Sequence, residues 1–368
     1  MKFRKFEMER WQSIYEHAVE FNLSESGVHP ATLNEIGVDT RSFGEMQMMY
    51  SPSNGTERFR ALAAAMQKGA TPDNILVTIG GAEANFHAVM RVMEPGDDAL
   101  LILPNYMEVH GIVETFGGKV VPVWARMENG WIPDPDEIAR AMTPKTKFIS
   151  LSNPNNPSAQ VIGPDVVKAI AEIAAKHDCW ILSDEVYRGA ERNGVRSPSF
   201  WDVYPKTILT QSLSKAYGTP GLRIGWLVAP ENDIAAMWAQ SDFTKIAPPI
   251  LSDYIGCAVL ENREKLFDRT RGYINRNWPV LKDWMDSRGD MFTYVEPQAA
   301  AICMAKYKYP INSTVLAERL RTEKSTLIVS GDHFGIDHYI RFGFGTEVDY
   351  MMGGLNRVGE LLDSMAQA

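Results

Sequence analysis

This 368-residue chain predicts an α/β fold in two parts. One is a large domain with a mostly parallel, seven-stranded sheet flanked by helices. The other is a smaller α+β domain formed by the C-terminal part and an N-terminal arm. Three observations point there. Between residues 75 and 229, seven short apolar runs alternate with stretches of helix length, and strands so separated need parallel crossovers. After Pro248-Pro249 the texture changes to long helical stretches followed by short strands. Residues 1–45 carry one partial helical stripe and then polar, turn-prone sequence. The expected divisions are therefore 1–45 (arm), 46–245 (large domain) and 246–368 (small domain).

The arm stripe is Phe6, Trp11, Ile14, Tyr15, Ala18 and Phe21. Such a stripe must pack on the small domain or on a partner subunit. Residues 49–56 form a loop by composition, and Thr56 is placed to cap a helix over 57–68. Strands are expected at 75–79, 99–103, 120–124, 148–152, 180–184, 207–210 and 224–229. Helices are expected at 82–93, 106–116, 136–142 and 164–177, the last entered through Gly163-Pro164. A helical stretch over 251–288 should break near Gly272 and Pro279. Strands at 291–295, 300–305, 326–330 and 339–344 follow. The chain closes on a helix, because Val348, Met351, Leu355, Val358 and Leu362 recur at helical spacing.

A net charge of −9 argues against nucleic acid as the main partner. No run approaches the ~18 apolar residues of a membrane span, so no membrane association is expected. The first twenty residues hold charges and no apolar core, so no export signal is expected. Cys179, Cys257 and Cys303 are scattered. That fits a reduced, cytoplasmic setting without a disulfide framework or a metal site.

Ligands of open parallel sheets bind beyond the carboxyl ends of the strands. Gly80-Gly81-Ala82 opens a helix after the first strand; small residues there suit a phosphate cradle, or simply a tight turn. Tyr106 follows the second strand and could stack on a flat ring or pack in the core. Residues 153–158, N-P-N-N-P-S, make a polar turn in which Asn156 could donate to a ring oxygen. Asp184 ends a buried strand and needs a partner; a protonated pyridine nitrogen is one, a structural ion pair another. Lys215 sits on the Ser- and Gly-rich turn 212–223, with Arg223 at its end. Lysine forms Schiff bases with aldehydes, and arginine grips phosphate. An aldehyde and a phosphate on one small molecule describe pyridoxal phosphate. Read alone, the turn is equally compatible with solvated loop charges.

Taken together, N-P-N-N-P-S, D-E-V-Y (184–187), S-L-S-K-A-Y-G (212–218) and G-L-R-I-G-W (221–226) stand in one order at successive strand ends. From about Tyr50 to its end the chain resembles the fold type I pyridoxal-phosphate enzymes, the class I/II aminotransferases of the aspartate aminotransferase superfamily. The resemblance implies that Lys215 carries the Schiff base and that Asp184 pairs with the ring nitrogen. Asn156 and Tyr187 would bond the phenolic oxygen, and Tyr106 would stack on the ring. Gly81, Ala82, Ser212, Ser214 and Arg223 would surround the phosphate. Tyr50 would reach the phosphate of a neighbouring subunit's cofactor, which implies a homodimer with shared sites. Arg341 would clamp the substrate's α-carboxylate. The implied activity moves an α-amino group from an L-amino acid to a 2-oxo acid by ping-pong kinetics.

Two departures stand out. Ala159 replaces the glycine of the usual N-P-T-G, which is expected to shift that loop. The segment from Ser24 to Pro30 does not align with aspartate aminotransferase. In this family the arm often covers the substrate, so Glu25 and His29 are candidate contacts to the substrate side chain, with Glu25 selecting a basic amino acid. An alternative keeps the cofactor and changes the reaction to that of a lyase, cyclase or oxidase, arginine-like substrates included. A non-catalytic binding protein on the same fold is the third class, disfavoured by the intact set of Lys215, Asp184 and Arg223.

Overall fold

The computed structural model describes residues 3–366. Seven strands form one sheet: β1 (Ile75–Thr78), β2 (Asp98–Leu103), β3 (Lys119–Trp124), β4 (Thr146–Ser152), β5 (Trp180–Asp184), β6 (Thr207–Ser212) and β7 (Gly225–Val228). Their spatial order is β1-β7-β6-β5-β4-β2-β3. Only β7 runs against its neighbours; the other pairings are parallel. Each strand lies within two residues of its expected limits.

Successive side chains of a strand face opposite ways, and the sheet is covered on both faces. Ala99, Leu101 and Leu103 of β2 join Ala84, Ala88 and Val89 of the helix Gly80–Val92. Leu100 and Ile102 join Val167, Ile170 and Ala174 of the helix Pro164–Lys176 on the opposite face. A fully buried leucine or isoleucine of this kind contributes about 1.5–3 kcal/mol. Two-sided burial explains why these strands read as continuous apolar runs.

A second, antiparallel sheet contains β8 (Phe292–Tyr294), β9 (Ile302–Tyr307), β10 (Val329–Ser330) and β11 (Tyr339–Gly343), in the order β10-β11-β9-β8. The arm is tied to this part of the chain. Phe21 and Asn22 pair in parallel with Thr326 and Leu327. Trp11 Nε1 donates to Ile328 O at 2.9 Å, and Gly343 N donates to Leu23 O at 2.7 Å. The expected strand over 326–330 is thus divided between two sheets.

Two expectations fail. The helix Arg263–Asp286 runs through both Gly272 and Pro279, and the break falls earlier, at Asn262. Burial of Leu266, Phe267, Ile274, Trp278, Leu281 and Trp284 on one face outweighs the single backbone bond that proline cannot make. In the arm, helix Glu7–Tyr15 buries Met8 and Gln12, while Ile14 of the expected stripe is 56% exposed. Gln12 is buried because its amide donates to Ser24 O and Oγ; a polar anchor replaces an apolar one. Among the described residues no helix is long and apolar enough to cross a membrane.

Candidate active site

At the edge where β2, β4, β5 and β6 end, the sheet opens into a cavity of about 440 Å³. The arm closes its far side with Met8, Glu9, Gln12, Glu25 and Ser26. Gly81, Ala82, Tyr106, Asn156, Asp184, Tyr187, Ser212, Ser214, Lys215 and Arg223, all singled out from sequence, line this one space.

One end is cationic and rich in hydroxyls. Helix Gly80–Val92 begins here, and its first N–H groups favour an anion. Ser212 Oγ donates to Ser214 Oγ at 2.9 Å. Arg223 Nη1 donates to Ser214 Oγ at 3.2 Å and to Pro220 O at 3.0 Å. Among the described residues no carboxylate neutralises Arg223. Gly80 adopts φ +77°, and a Cβ there would lie 2.4 Å from Arg223 Nη2. The cradle therefore requires glycine at position 80, where a side chain would be strained and would crowd Arg223. A phosphate fits this set of donors.

The other end is anionic. Asp184 Oδ1 accepts from Val186 N at 3.1 Å, and Oδ2 accepts from Asn85 Nδ2 at 3.3 Å. Burial pushes the Asp184 carboxyl up, opposed by those two hydrogen bonds and the Lys215 charge. A cationic ring nitrogen is the partner that would bring it down again. Asn156 Oδ1 accepts from Arg341 Nη1 at 2.8 Å, which leaves Asn156 Nδ2 to donate towards an anionic oxygen. Tyr187 lines the cavity, and its hydroxyl donates to Ser26 Oγ at 2.8 Å. The Tyr106 hydroxyl donates to Glu9 Oε1 at 2.7 Å. These residues fit pyridoxal phosphate along its whole length.

Lys215 stands between the two ends. Its Nζ donates to Glu25 Oε1 at 2.8 Å, and the same oxygen accepts from Ser26 N and Gly27 N. The pair faces the cavity, which leaves the Lys215 side chain 26% and the Glu25 side chain 50% exposed. The Lys215 charge is the largest cause holding the Glu25 carboxyl down at about 2. Burial, the largest single cause, opposes the Lys215 charge, but Glu25 and Tyr187 together outweigh it and raise the lysine. Glu25 thus reaches the cavity as expected, but its partner is the lysine.

Three expected residues lie outside the cavity lining. His29 is exposed, and its ring stacks at 6.2 Å on Tyr273, away from the cavity. The backbone at His29 turns outward because its N–H donates to Gly345 O and its carbonyl accepts from Arg269 Nη1. As a substrate contact it is therefore corrected. Tyr50 is 81% exposed on the surface. Arg341, on β11, is buried one layer behind Asn156, where its Nη2 donates to Ser24 O. No carboxylate lies within ion-pair distance of it among the described residues. Ala159 takes φ +58° and keeps its bond to Asn155 O at 2.9 Å. The loop therefore holds a left-handed, glycine-like turn despite the methyl group.

Asn85 and Glu108 also line the site, unforeseen. A signal for Asn85 existed: it lies four residues after Gly81 and so on the same helical face. Glu9 and Glu16 on the arm had no such signal.

The family profile Aminotransferase class I and II matches residues 34–353. An aspartate/prephenate aminotransferase from Thermus thermophilus is 28% identical over 333 residues, covering 88% of this chain and 85% of that protein. The arginine–pyruvate transaminase AruH from Pseudomonas aeruginosa is 27% identical, covering 83% of this chain and 79% of that protein. The crystal structure of a PLP-dependent aminotransferase from Streptococcus suis superposes with a TM-score of 0.93 at 28% identity, covering 99% of each chain. On the fold, the cavity and these likenesses, the chain belongs to the class I and II aminotransferases, which are pyridoxal-phosphate-dependent enzymes.

Proposed function

We propose that this enzyme moves the α-amino group of an L-amino acid to a 2-oxo acid in two half-reactions, by ping-pong kinetics, with Lys215 as covalent anchor and proton carrier. One observation supports this most: an amine, a carboxylate and an unneutralised guanidinium, from Lys215, Asp184 and Arg223, line one cavity. Pyridoxal phosphate, when bound, supplies an aldehyde carbon for amines and a cationic ring that draws electrons from the Cα–H bond. Arg223, Ser212, Ser214 and the helix start at Gly81-Ala82 would hold its phosphate. Asp184 would keep the ring nitrogen protonated. Asn156 and Tyr187 would bond the phenolic oxygen. Lys215 Nζ, which lines the same cavity, would be the base that takes the proton from Cα. Arg341 waits behind Asn156 for the α-carboxylate and turns the Cα–H bond towards Lys215; its contribution is orientation.

The enzyme acts as a homodimer in this reading. Met48, Met49, Tyr50, Phe243 and Ile246 are exposed apolar side chains. Their two loops are joined where Ser51 Oγ donates to Pro248 O at 2.7 Å. A surface of this composition suits a partner subunit, to whose cofactor Tyr50 would extend.

A second reading concerns the substrate side chain. Glu9, Glu16 and Glu25 all line the cavity, so a basic amino acid is favoured, in keeping with the name of the Pseudomonas relative. With such a substrate a lyase, cyclase or oxidase outcome is the alternative. An amino-acid screen decides between them. Keto acid formed only in proportion to an added 2-oxo acid supports transamination. Ammonia release without an acceptor, or oxygen uptake, would overturn it.

A further inference from the structure

Behind Asp184 lies a contact used by neither the phosphate cradle nor the lysine. Asn85 is buried one turn inside the helix Gly80–Val92. Its Nδ2 donates to Glu108 Oε2 at 3.0 Å and to Asp184 Oδ2 at 3.3 Å. One neutral amide therefore bridges two carboxyl groups with its two hydrogens. Two like charges so bridged repel, and the arrangement is stable when one of them is protonated.

The surroundings decide which. Asp184 accepts from Val186 N as well as Asn85 and feels the Lys215 charge. Among the described residues, Asn85 is the one group that hydrogen-bonds Glu108. Burial, the largest cause, raises the Glu108 carboxyl to about 8; Asn85 opposes this, and Asp184 and Glu9 add to it. The groups facing Glu108 are Asp184 on β5, Glu9 on the arm helix and Tyr106 just ahead of its own helix, with Lys215 beyond Asp184. Among the described residues none is a cation in contact with it.

We propose that Glu108 and Asn85 are positioning residues: Glu108 orients the Asn85 amide, and that amide fixes Asp184 Oδ2 so that the carboxylate meets the cofactor's ring nitrogen. With Val186 holding Oδ1 at 3.1 Å, both oxygens of Asp184 are then fixed and the carboxylate cannot rotate. The inference rests on cofactor binding and is independent of which amino acid is consumed.

The test titrates the absorbance band of the bound cofactor against pH in purified holoenzyme and measures cofactor retention by dialysis. Asn85→Ala and Glu108→Ala should each move the pH midpoint in the same direction, by about half a unit or more, and weaken retention about tenfold. The double variant should move it no further than the larger single change. Glu108→Gln keeps an acceptor for Asn85 and should hold the wild-type midpoint and retention below pH 8. Wild-type behaviour in Glu108→Ala, or shifts that add in the double variant, would overturn the proposal. Glu108 lines the open cavity, so if Asn85→Ala fails to fold, the contrast between Glu108→Ala and Glu108→Gln decides alone. A wild-type protein with no cofactor band would overturn this inference together with the cofactor assignment.

Discussion

Asp184, Ser212 and Lys215 stand at or just past the ends of buried parallel strands, whereas Glu9, Gln12 and Glu25 stand on a nine-residue helix and a loop. The first wall shares the rigidity of a sheet packed on both faces. The second is held by a two-residue parallel pairing, the Trp11 bond to Ile328 and the Gln12 bonds to Ser24. Elements with fewer buried contacts open more readily. The difference assigns the two halves of catalysis to two kinds of structure. In the proposed function, bond-breaking chemistry would sit where geometry is fixed, and side-chain selection where sequence can vary without disturbing the sheet. The two walls touch at the Lys215–Glu25 pair, at 2.8 Å, and at the hydrogen bonds of Tyr187 to Ser26 and of Tyr106 to Glu9.

The comparison can be broken from either side. Changes in the strand-end wall should act on kcat. Asp184→Asn removes the charge opposite the ring nitrogen and should lower kcat by about 10²–10³-fold with KM little changed; a pure KM effect would assign Asp184 to substrate binding. Changes in the arm wall should act on KM and only for some substrates. Glu9→Gln and Glu16→Gln should each raise KM for a basic amino acid by about 3–10-fold and leave neutral substrates unaffected. Equal effects on both substrate classes would remove the arm's selecting role.

The smallest effect concerns the Lys215–Glu25 contact between the walls. Glu25 is held at about 2 against an ordinary 4.5, so its stabilisation is present above 4.5 and is lost as pH falls towards 2. Lys215 is raised above 10.5, so its share is present below 10.5 and is lost above it. Glu25→Gln should therefore lower the melting temperature of the cofactor-free protein between about pH 5 and 10, with the difference vanishing near pH 2. The loss should stay below about 1 kcal/mol because cavity water screens the pair.

Legibility in sequence follows the same division. D-E-V-Y and S-L-S-K could be read because each is a local string at the end of an apolar run, and the run itself announces the strand. Asn85 and Glu108 are 23 residues apart, and only the packing of the helices Gly80–Val92 and Glu108–Thr115 brings them together. Glu9 meets Tyr106 across 97 residues, with no periodicity to suggest it. Pro279 misled because its local cost is visible in sequence, while the tryptophans and leucines that offset it act through tertiary burial. His29 misled for the converse reason: its segment does enter the site, but backbone bonds to Gly345 and Arg269 turn that residue outward.

Borohydride reduction of the purified holoenzyme, followed by peptide mapping, tests the central claim most directly. Lys215 as covalent anchor predicts a single pyridoxyl group on the peptide that contains position 215, and none in Lys215→Ala. A tag on another lysine, or no tag on a protein that carries the cofactor, would contradict it.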